Sequence, residues 1–345
     1  MMRAKSLIWL PMIQGTPTIL QLNRWQQSLA QSVTDPADLL ERLNLPISLL
    51  PAARQAAELF GLKVPLPYLA RIQKANPEDP LLRQVLPLGD ELLNVEGFTS
   101  DPVGDHNAMR SPGLLHKYHG RALILATGAC GIHCRYCFRR HFNYADANPA
   151  KNQWQETIET LRSDNSINEA ILSGGDPLSL SDQRLAGLIA ELEQIPHLKR
   201  LRIHTRLPVV LPERITKQFL ELLNNTRLTT VIVLHINHPQ EIDNDVKSLC
   251  SQLSATNSQL LNQSVLLAGV NNSIETLCQL SERLSDCGVH PYYLHQLDKV
   301  AGAAHFSVCD SQAKQLHNGL QARLSGYLVP KLVREIAGEA GKSAL

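Results

Sequence analysis

Three of the chain's seven cysteines, Cys130, Cys134 and Cys137, fall within eight residues of one another in the stretch GACGIHCRYCFRRHF. Thiolates are ligands for soft metals, and what a run of them binds depends on how many there are. A structural zinc ion takes four tetrahedral ligands, and a disulfide framework takes an even count in an oxidising compartment. Three thiolates at C-x3-C-x2-C spacing suit a [4Fe-4S] cluster with three irons held by the protein and the fourth open to a small molecule. A zinc site would need His133 or His141 as its fourth ligand, and no second C-x2-C or H-x3-H pair accompanies them. Tyr136 and Phe138 flank the last cysteine and would keep water from a cluster.

Chemistry of this kind has to be held by regular structure. Six β-rich runs begin at Arg121, Glu169, Arg200, Thr230, Asn262 and Pro291, and after a first gap of 48 residues they recur every 29 to 32. Helical patterns such as DQRLAGLIAELEQI, PERITKQFLELLNN and SIETLCQLSERLSDCG follow most of them, which makes a repeated βα unit. Six such units predict an α/β fold, a partial (βα)6 TIM-like barrel rather than a closed eight-stranded one or a doubly wound sheet. Polar and glycine residues gather where these runs end: Gly174, Gly175 and Asp176; Thr205 and Arg206; His235, Asn237 and His238; Gln296 and Asp298. In parallel barrels that end carries the chemistry, so the cysteine loop after the first run is expected to open into the barrel mouth.

Before the barrel, residues 21–110 show apolar residues three and four apart in NRWQQSLAQSV, DPADLLERLN and AARQAAELF, the period of helices. We therefore expect an N-terminal helical region over 1–110, the barrel over 111–308, and a C-terminal helix with a short tail over 309–345. With 33 Lys and Arg against 32 Asp and Glu, the net charge of +1 gives no general reason to expect a nucleic acid or a membrane surface as partner. The first residues, MMRAKSLIWLPMIQGTPT, hold a short apolar stretch broken by Pro11 and no small-residue cleavage site, so no export signal is expected. A cytoplasmic protein with reduced thiols follows. Cys250, Cys278, Cys287 and Cys309 then read as buried or incidental thiols.

The C-x3-C-x2-C loop after a first strand resembles that of the radical S-adenosylmethionine enzymes. Within them, DPLLRQVLP, PGLLHKYHGRALILATGAC, LRIHTRLPVVLPERIT, NHPQEI, LLNQSVLL and HPYYLHQLDKVAGAAHF fall in the order of the lysine 2,3-aminomutase family, which the chain resembles from about Asp79 to its end. The helical N-terminal part and short C-terminus look closest to the bacterial branch that makes (R)-β-lysine for modifying elongation factor P. The resemblance implies an isomerase that moves the α-amine of L-lysine to C3, using a [4Fe-4S] cluster, S-adenosylmethionine and pyridoxal phosphate. It implies free L-lysine as substrate, an external one-electron donor, and a functional link to elongation factor P and its lysyl-tRNA-synthetase-like ligase.

Carried over residue by residue, the resemblance implies that Cys130, Cys134 and Cys137 hold the cluster and that Lys342 in VREIAGEAGKSAL carries the pyridoxal. Lys117 and Arg121 would hold its phosphate. Gly174, Gly175 and Asp176 in LSGGDPL, with His235 and Gln263, would lie against S-adenosylmethionine. Arg139 matches the arginine that pairs with the substrate carboxylate, and Asp298 and Glu335 match the acids that face the far ammonium of lysine. Asn272 and Ser273 stand near where larger relatives carry a zinc-binding cysteine, so an intersubunit zinc site is not implied. The alternatives are an aminomutase for another amino acid, a radical enzyme without pyridoxal phosphate, and a zinc-stabilised interaction protein. Loss of a pyridoxal absorbance band in Lys342→Ala separates the first two, and zinc without sulfide would identify the third.

Overall fold

The structure, a computed structural model, describes residues 23–144 and 154–345. The apolar stretch at the N-terminus that bears on export lies outside the described residues. Ten strands form one sheet in sequential order: β1 (Met109–Ser111), β2 (Leu114–Tyr118), β3 (Arg121–Thr127), β4 (Glu169–Gly174), β5 (Arg200–Thr205), β6 (Thr229–His235), β7 (Gln259–Leu266), β8 (His290–Gln296), β9 (Lys331–Arg334) and β10 (Ser343–Ala344). From β3 to β9 every neighbouring pair is parallel, and β1–β2, β2–β3 and β9–β10 are antiparallel. No pairing joins β1 to β10 among the described residues, so the curved sheet is a partial, open α/β barrel.

The six predicted runs are β3 to β8, each bound to the next by a helix that crosses back: Gln155–Ser163, Asp182–Glu193, Lys217–Asn225, Asn244–Ser254 and Ile274–Asp286. Side chains in the right places start these helices. Ser181, Thr216, Asp243 and Ser273 each accept a hydrogen bond from a backbone N–H of the first turn. The strands they connect read as near-continuous apolar runs because both faces of a parallel sheet are covered, and β6 is buried at five consecutive positions.

The structure adds a short seventh parallel strand, β9, delivered by the helix Asp310–Arg323. Four residues with one exposed lysine carry too little pattern to be read as a strand. β10 then folds back on β9, with Ser343 opposite Arg334 and Ala344 opposite Val333. The chain end is therefore not a solvated tail: Leu345 N donates to Leu332 O at 3.3 Å and its side chain packs on a small core with Leu316 and Leu332.

Ahead of the barrel lie the expected helices, Arg24–Ala30, Pro36–Arg42 and Leu50–Leu59. Trp25, Leu39, Leu40, Tyr68, Leu81 and Leu82 join Leu172, Ile203 and Ile232 of the barrel in one continuous core. The N-terminal region is thus packed onto the barrel through shared apolar burial. No helix among the described residues is long and apolar enough to cross a membrane.

Candidate active site

The cysteine loop leaves β3 and has no regular structure of its own; other segments hold it in shape. Arg135 is fully buried and donates to Glu91 through Nε at 2.8 Å and Nη2 at 2.5 Å, while Arg140 donates to the same carboxylate at 2.6 Å. Arg135 N donates to Gln84 O at 2.9 Å, His133 N to Lys63 O at 3.0 Å, and Lys63 Nζ to Cys130 O at 2.9 Å. A β-carbon at Gly131 would overlap the end of the Leu207 side chain, so glycine lets the two segments pack without moving it. The N-terminal helical region is the buckle of this loop.

Each histidine that could complete a zinc site has one ring nitrogen on a backbone carbonyl. His133 Nδ1 lies 2.9 Å from Gly61 O with its ring stacked on Phe60, and His141 Nε2 lies 3.0 Å from Ala301 O. The three thiols are free and line a single cavity of about 380 Å³, within the range of small-molecule and cofactor sites. Among the described residues no three His, Cys, Asp or Glu side chains converge on one ion. Thiolates that each hold a separate iron of a cluster need no such convergence. Burial raises the thiol pKa of Cys130 and lifts that of Cys137 to about 11, with neighbouring thiols adding to both.

Around the loop, the strand ends are closely fitted. Gly174 has φ +120° and a β-carbon there would stand 2.5 Å from Thr127 O, and one on Gly175 would overlap the Ala129 carbonyl. Gly174 is demanded by the backbone at the end of β3 and Gly175 by the first residues of the cysteine loop; both also line the cavity. Asp176 is buried, and its two oxygens accept from Leu178 N, Thr205 Oγ1, Arg206 N and Leu207 N at 2.7 to 3.0 Å. It fixes the ends of β4 and β5 against each other. His235 Nε2 lies 3.0 Å from the Tyr136 hydroxyl, and burial followed by Arg206 lowers its pKa to about 3, so the ring is neutral. Gln263 stands beside it in register on β7.

A chain of alternating charges runs along the cavity. Lys342 Nζ donates to Glu335 Oε2 at 3.0 Å, and Lys117 Nζ donates to Glu335 Oε1 at 2.9 Å. Lys117 Nζ also stands 2.6 Å from Asp105 Oδ1, and Arg139 Nε donates to Asp105 Oδ2 at 2.6 Å. Burial alone would push the Asp105 and Glu335 carboxyls up, but the cations beside them outweigh it and hold both below the ordinary range. Burial likewise pulls Lys117 down, and Glu335 and Asp105 outweigh it upward. Asp298 lies near this chain and makes no ion pair among the described residues; burial and then Glu335 raise its pKa to about 7 against the pull of Lys342 and Lys117. Arg121 places its guanidinium 4.6 Å from the centre of the Tyr118 ring.

Every residue to which the resemblance assigns a site role lines this one cavity: the three cysteines, Lys117, Arg121, Arg139, Gly174, Gly175, Asp176, His235, Gln263, Asp298, Glu335 and Lys342; of the other strand-end residues Thr205 and Arg206 line it too, and Asn237, His238 and Gln296 do not. Sequence reading missed Asp105, which lies in the Gly, Pro and Asp rich connection and gains meaning only from its two cationic neighbours. It also missed His204 and His295, on β5 and β8, whose interior position follows from strand alternation once the register is known.

The pattern of the Radical SAM superfamily matches residues 124–259, which spans the cysteine loop and the strands from β3 to the start of β7. The chain is 51% identical to an L-lysine 2,3-aminomutase of Haemophilus influenzae, over 95% of this chain and 97% of that one. It is 49% identical to an L-lysine 2,3-aminomutase of Escherichia coli, covering 93% and 94% of the two, and 32% identical to one of Clostridium subterminale, covering 93% and 77%. The chain belongs to the L-lysine 2,3-aminomutase family. It is an enzyme, an isomerase of the radical S-adenosylmethionine class.

Members of the L-lysine 2,3-aminomutase family work with a [4Fe-4S] cluster, S-adenosylmethionine and pyridoxal phosphate, and the cavity has the donor set for each. Three free thiols face it for iron, and a primary amine on Lys342 meets the needs of an aldehyde. Lys117 and Arg121 are cations on the cavity wall, the charge that a phosphate would need. His204 Nε2 is buried at the cavity wall with no hydrogen-bond partner among the described residues, which a bound polar group would satisfy.

Proposed function

We propose that this chain converts L-lysine to β-lysine, the R enantiomer, by 2,3-migration of the amine. The observation that carries the proposal is that the three thiols, the Lys342 amine and the Lys342–Glu335–Lys117–Asp105–Arg139 chain share one cavity. When bound, the cluster and S-adenosylmethionine supply a hydrogen-abstracting radical, and pyridoxal phosphate supplies the π system across which nitrogen moves. The chain's own residues position the partners. Cys130, Cys134 and Cys137 hold iron; Gly174 and Gly175 let backbone lie close, with Asp176 fixing their strand; His235 and Gln263 border the S-adenosylmethionine side.

Lys342 carries pyridoxal, with Lys117 and Arg121 at its phosphate. Arg139 takes the substrate carboxylate: Asp105 and Ser173 hold its Nε and Nη1, and Nη2 makes no hydrogen bond among the described residues. Asp298 takes the far ammonium of lysine, with Glu335 as a second carboxylate, and two acids there favour lysine over an acidic amino acid. Tyr136 and Phe138 limit water at the cluster.

The same reading divides the chain at residues 110 and 308 and places it in the cytoplasm, where an external donor supplies the electron. Free β-lysine then passes to a separate lysyl-tRNA-synthetase-like ligase that modifies elongation factor P, a link supported by the resemblance to that bacterial branch. No nucleic acid or membrane takes part. The test is anaerobic turnover of L-lysine by protein reconstituted with iron and sulfide, with S-adenosylmethionine, pyridoxal phosphate and a reductant, resolved by chiral chromatography. (R)-β-Lysine is expected. Cleavage of S-adenosylmethionine without β-lysine would reject lysine as substrate, and faster rearrangement of lysine on intact elongation factor P would reject the free amino acid.

A further inference from the structure

Arg206 directly follows β5, is 6% exposed, and has no part in the substrate contacts above. Its backbone is fixed by Arg206 N donating to Asp176 Oδ2 at 2.7 Å. Its guanidinium is fixed on both edges. Nη1 donates to Cys134 Sγ at 2.8 Å and to the Tyr136 hydroxyl; Nη2 donates to Gln84 Oε1 at 2.8 Å and to Glu241 Oε2 at 3.1 Å. Glu241 is fully buried and is held in turn by Asn237 N at 2.9 Å and His238 N at 3.1 Å. A buried cation is thus bonded to the sulfur of Cys134, with the Glu241 carboxylate on its far side.

A [4Fe-4S] cluster gains one negative charge when it is reduced. A cationic donor bonded to a ligand sulfur favours the more negative state and raises the reduction potential, and a dry surrounding strengthens the effect. A carboxylate behind that cation weakens it.

We infer that Arg206 sets the reduction potential of the cluster through its bond to Cys134 Sγ, raising it so that a one-electron donor can load the cluster, and that Glu241 limits the rise. Arg206 is a positioning and tuning residue and does not touch substrate. The step it serves is addition of one electron to the oxidised cluster, with no proton moved and no bond broken. The inference rests on the proposed reading that the three thiols hold a [4Fe-4S] cluster.

The test is an anaerobic potentiometric titration with dithionite, followed by electron paramagnetic resonance, of the reconstituted full chain and of Arg206→Gln, Arg206→Lys and Glu241→Gln. At a fixed poise the reduced-to-oxidised ratio of Arg206→Gln should fall at least tenfold, about 59 mV for a one-electron couple. Arg206→Lys, which keeps the charge and loses the fork, should fall less. Glu241→Gln should move the other way. A purely structural role would not give shifts of opposite sign at equal iron content. If Arg206→Gln does not fold or load iron, Glu241→Gln decides alone, because it leaves the guanidinium on the sulfur. An unmoved potential in Glu241→Gln, or shifts of one sign in both variants, overturns the inference while the cluster reading stands. Absence of any cluster signal in the unaltered protein overturns both.

Discussion

The two halves of the cavity are built on opposite plans. The cysteine half takes its three thiols from eight contiguous residues, and the buried carboxylates behind them, Glu91 under Arg135 and Arg140 and Glu241 under Arg206, stay off the cavity wall. The lysine half is assembled from Asp105, Lys117, Arg139, Asp298, Glu335 and Lys342, which span most of the chain, and its five-member ion chain carries three cations against two carboxylates. A rigid inorganic ligand suits the first plan, since its thiolates must stand at fixed places before it arrives. Charged ligands suit the second, because each brings a phosphate, a carboxylate or an ammonium that can replace a partner already in the chain.

If the halves are separate devices, each can be removed without the other. Cys134→Ala should lose the iron, the sulfide and all turnover, yet still acquire a pyridoxal absorbance band. Lys342→Ala should lose that band and all β-lysine formation while keeping full iron content. Iron analysis and absorbance spectra of the two variants check this, and loss of both features in either variant would merge the halves into one.

A smaller break targets the buttress of the cysteine half. Glu91 is buried and takes hydrogen bonds from two buried guanidiniums, so Glu91→Gln leaves both without their anion. Removing one partner of a buried ion pair costs about 3–5 kcal/mol. The denaturation midpoint of the cluster-free protein should drop accordingly, and iron uptake should slow. A change under about 1 kcal/mol would mean that the loop is held by its backbone contacts to Gln84 and Lys63 instead.

The same contrast explains what could be read in advance. The cysteine triad was visible because its spacing is local, and β3 to β8 were visible because a buried parallel strand followed by an amphipathic helix repeats at a steady period. β9 and β10 were missed because four- and two-residue strands carry no period, although they place Glu335 and Lys342. Lys342 was found through resemblance, since a lysine three residues from the end otherwise reads as a tail. Gly174 and Gly175 carry a second constraint that the sequence does not show: they also meet the backbone of β3 and of the first residues of the cysteine loop. Asp105 had no local signal at all, because its role lies in two cations 12 and 34 residues away in sequence.

Asp105 is therefore the place to probe the lysine half without touching a group assigned to substrate. Asp105→Asn keeps the shape and removes the charge shared by Lys117 and Arg139. Charged hydrogen bonds contribute about 1.5–3 kcal/mol, so kcat/KM for lysine should fall about tenfold to a hundredfold, mostly through KM if Arg139 is misplaced at the substrate carboxylate. Iron content should stay unchanged, which a disturbance reaching the cysteine half would not allow.

The smallest effect is a pH limb. Asp298 is pushed up to about 7, by burial first and Glu335 second. Below that pH it is protonated and neutral, so it cannot pair with the far ammonium of lysine; above it the carboxylate is present. Because kcat/KM reports the free enzyme, it should rise with pH through about 7 and then level. Asp298→Asn should lack this limb, falling about tenfold short of the unaltered enzyme at pH 8 and matching it near pH 6. Histidine is the usual source of a limb in this range, but the cavity's histidines are excluded by their surroundings. Burial lowers His204, His295 and His235, the last to about 3, with Arg202, Lys342 and Arg206 as the respective cations that add to it. A limb that survived in Asp298→Asn would place the titrating group outside this set and would remove Asp298 from the recognition of the ammonium.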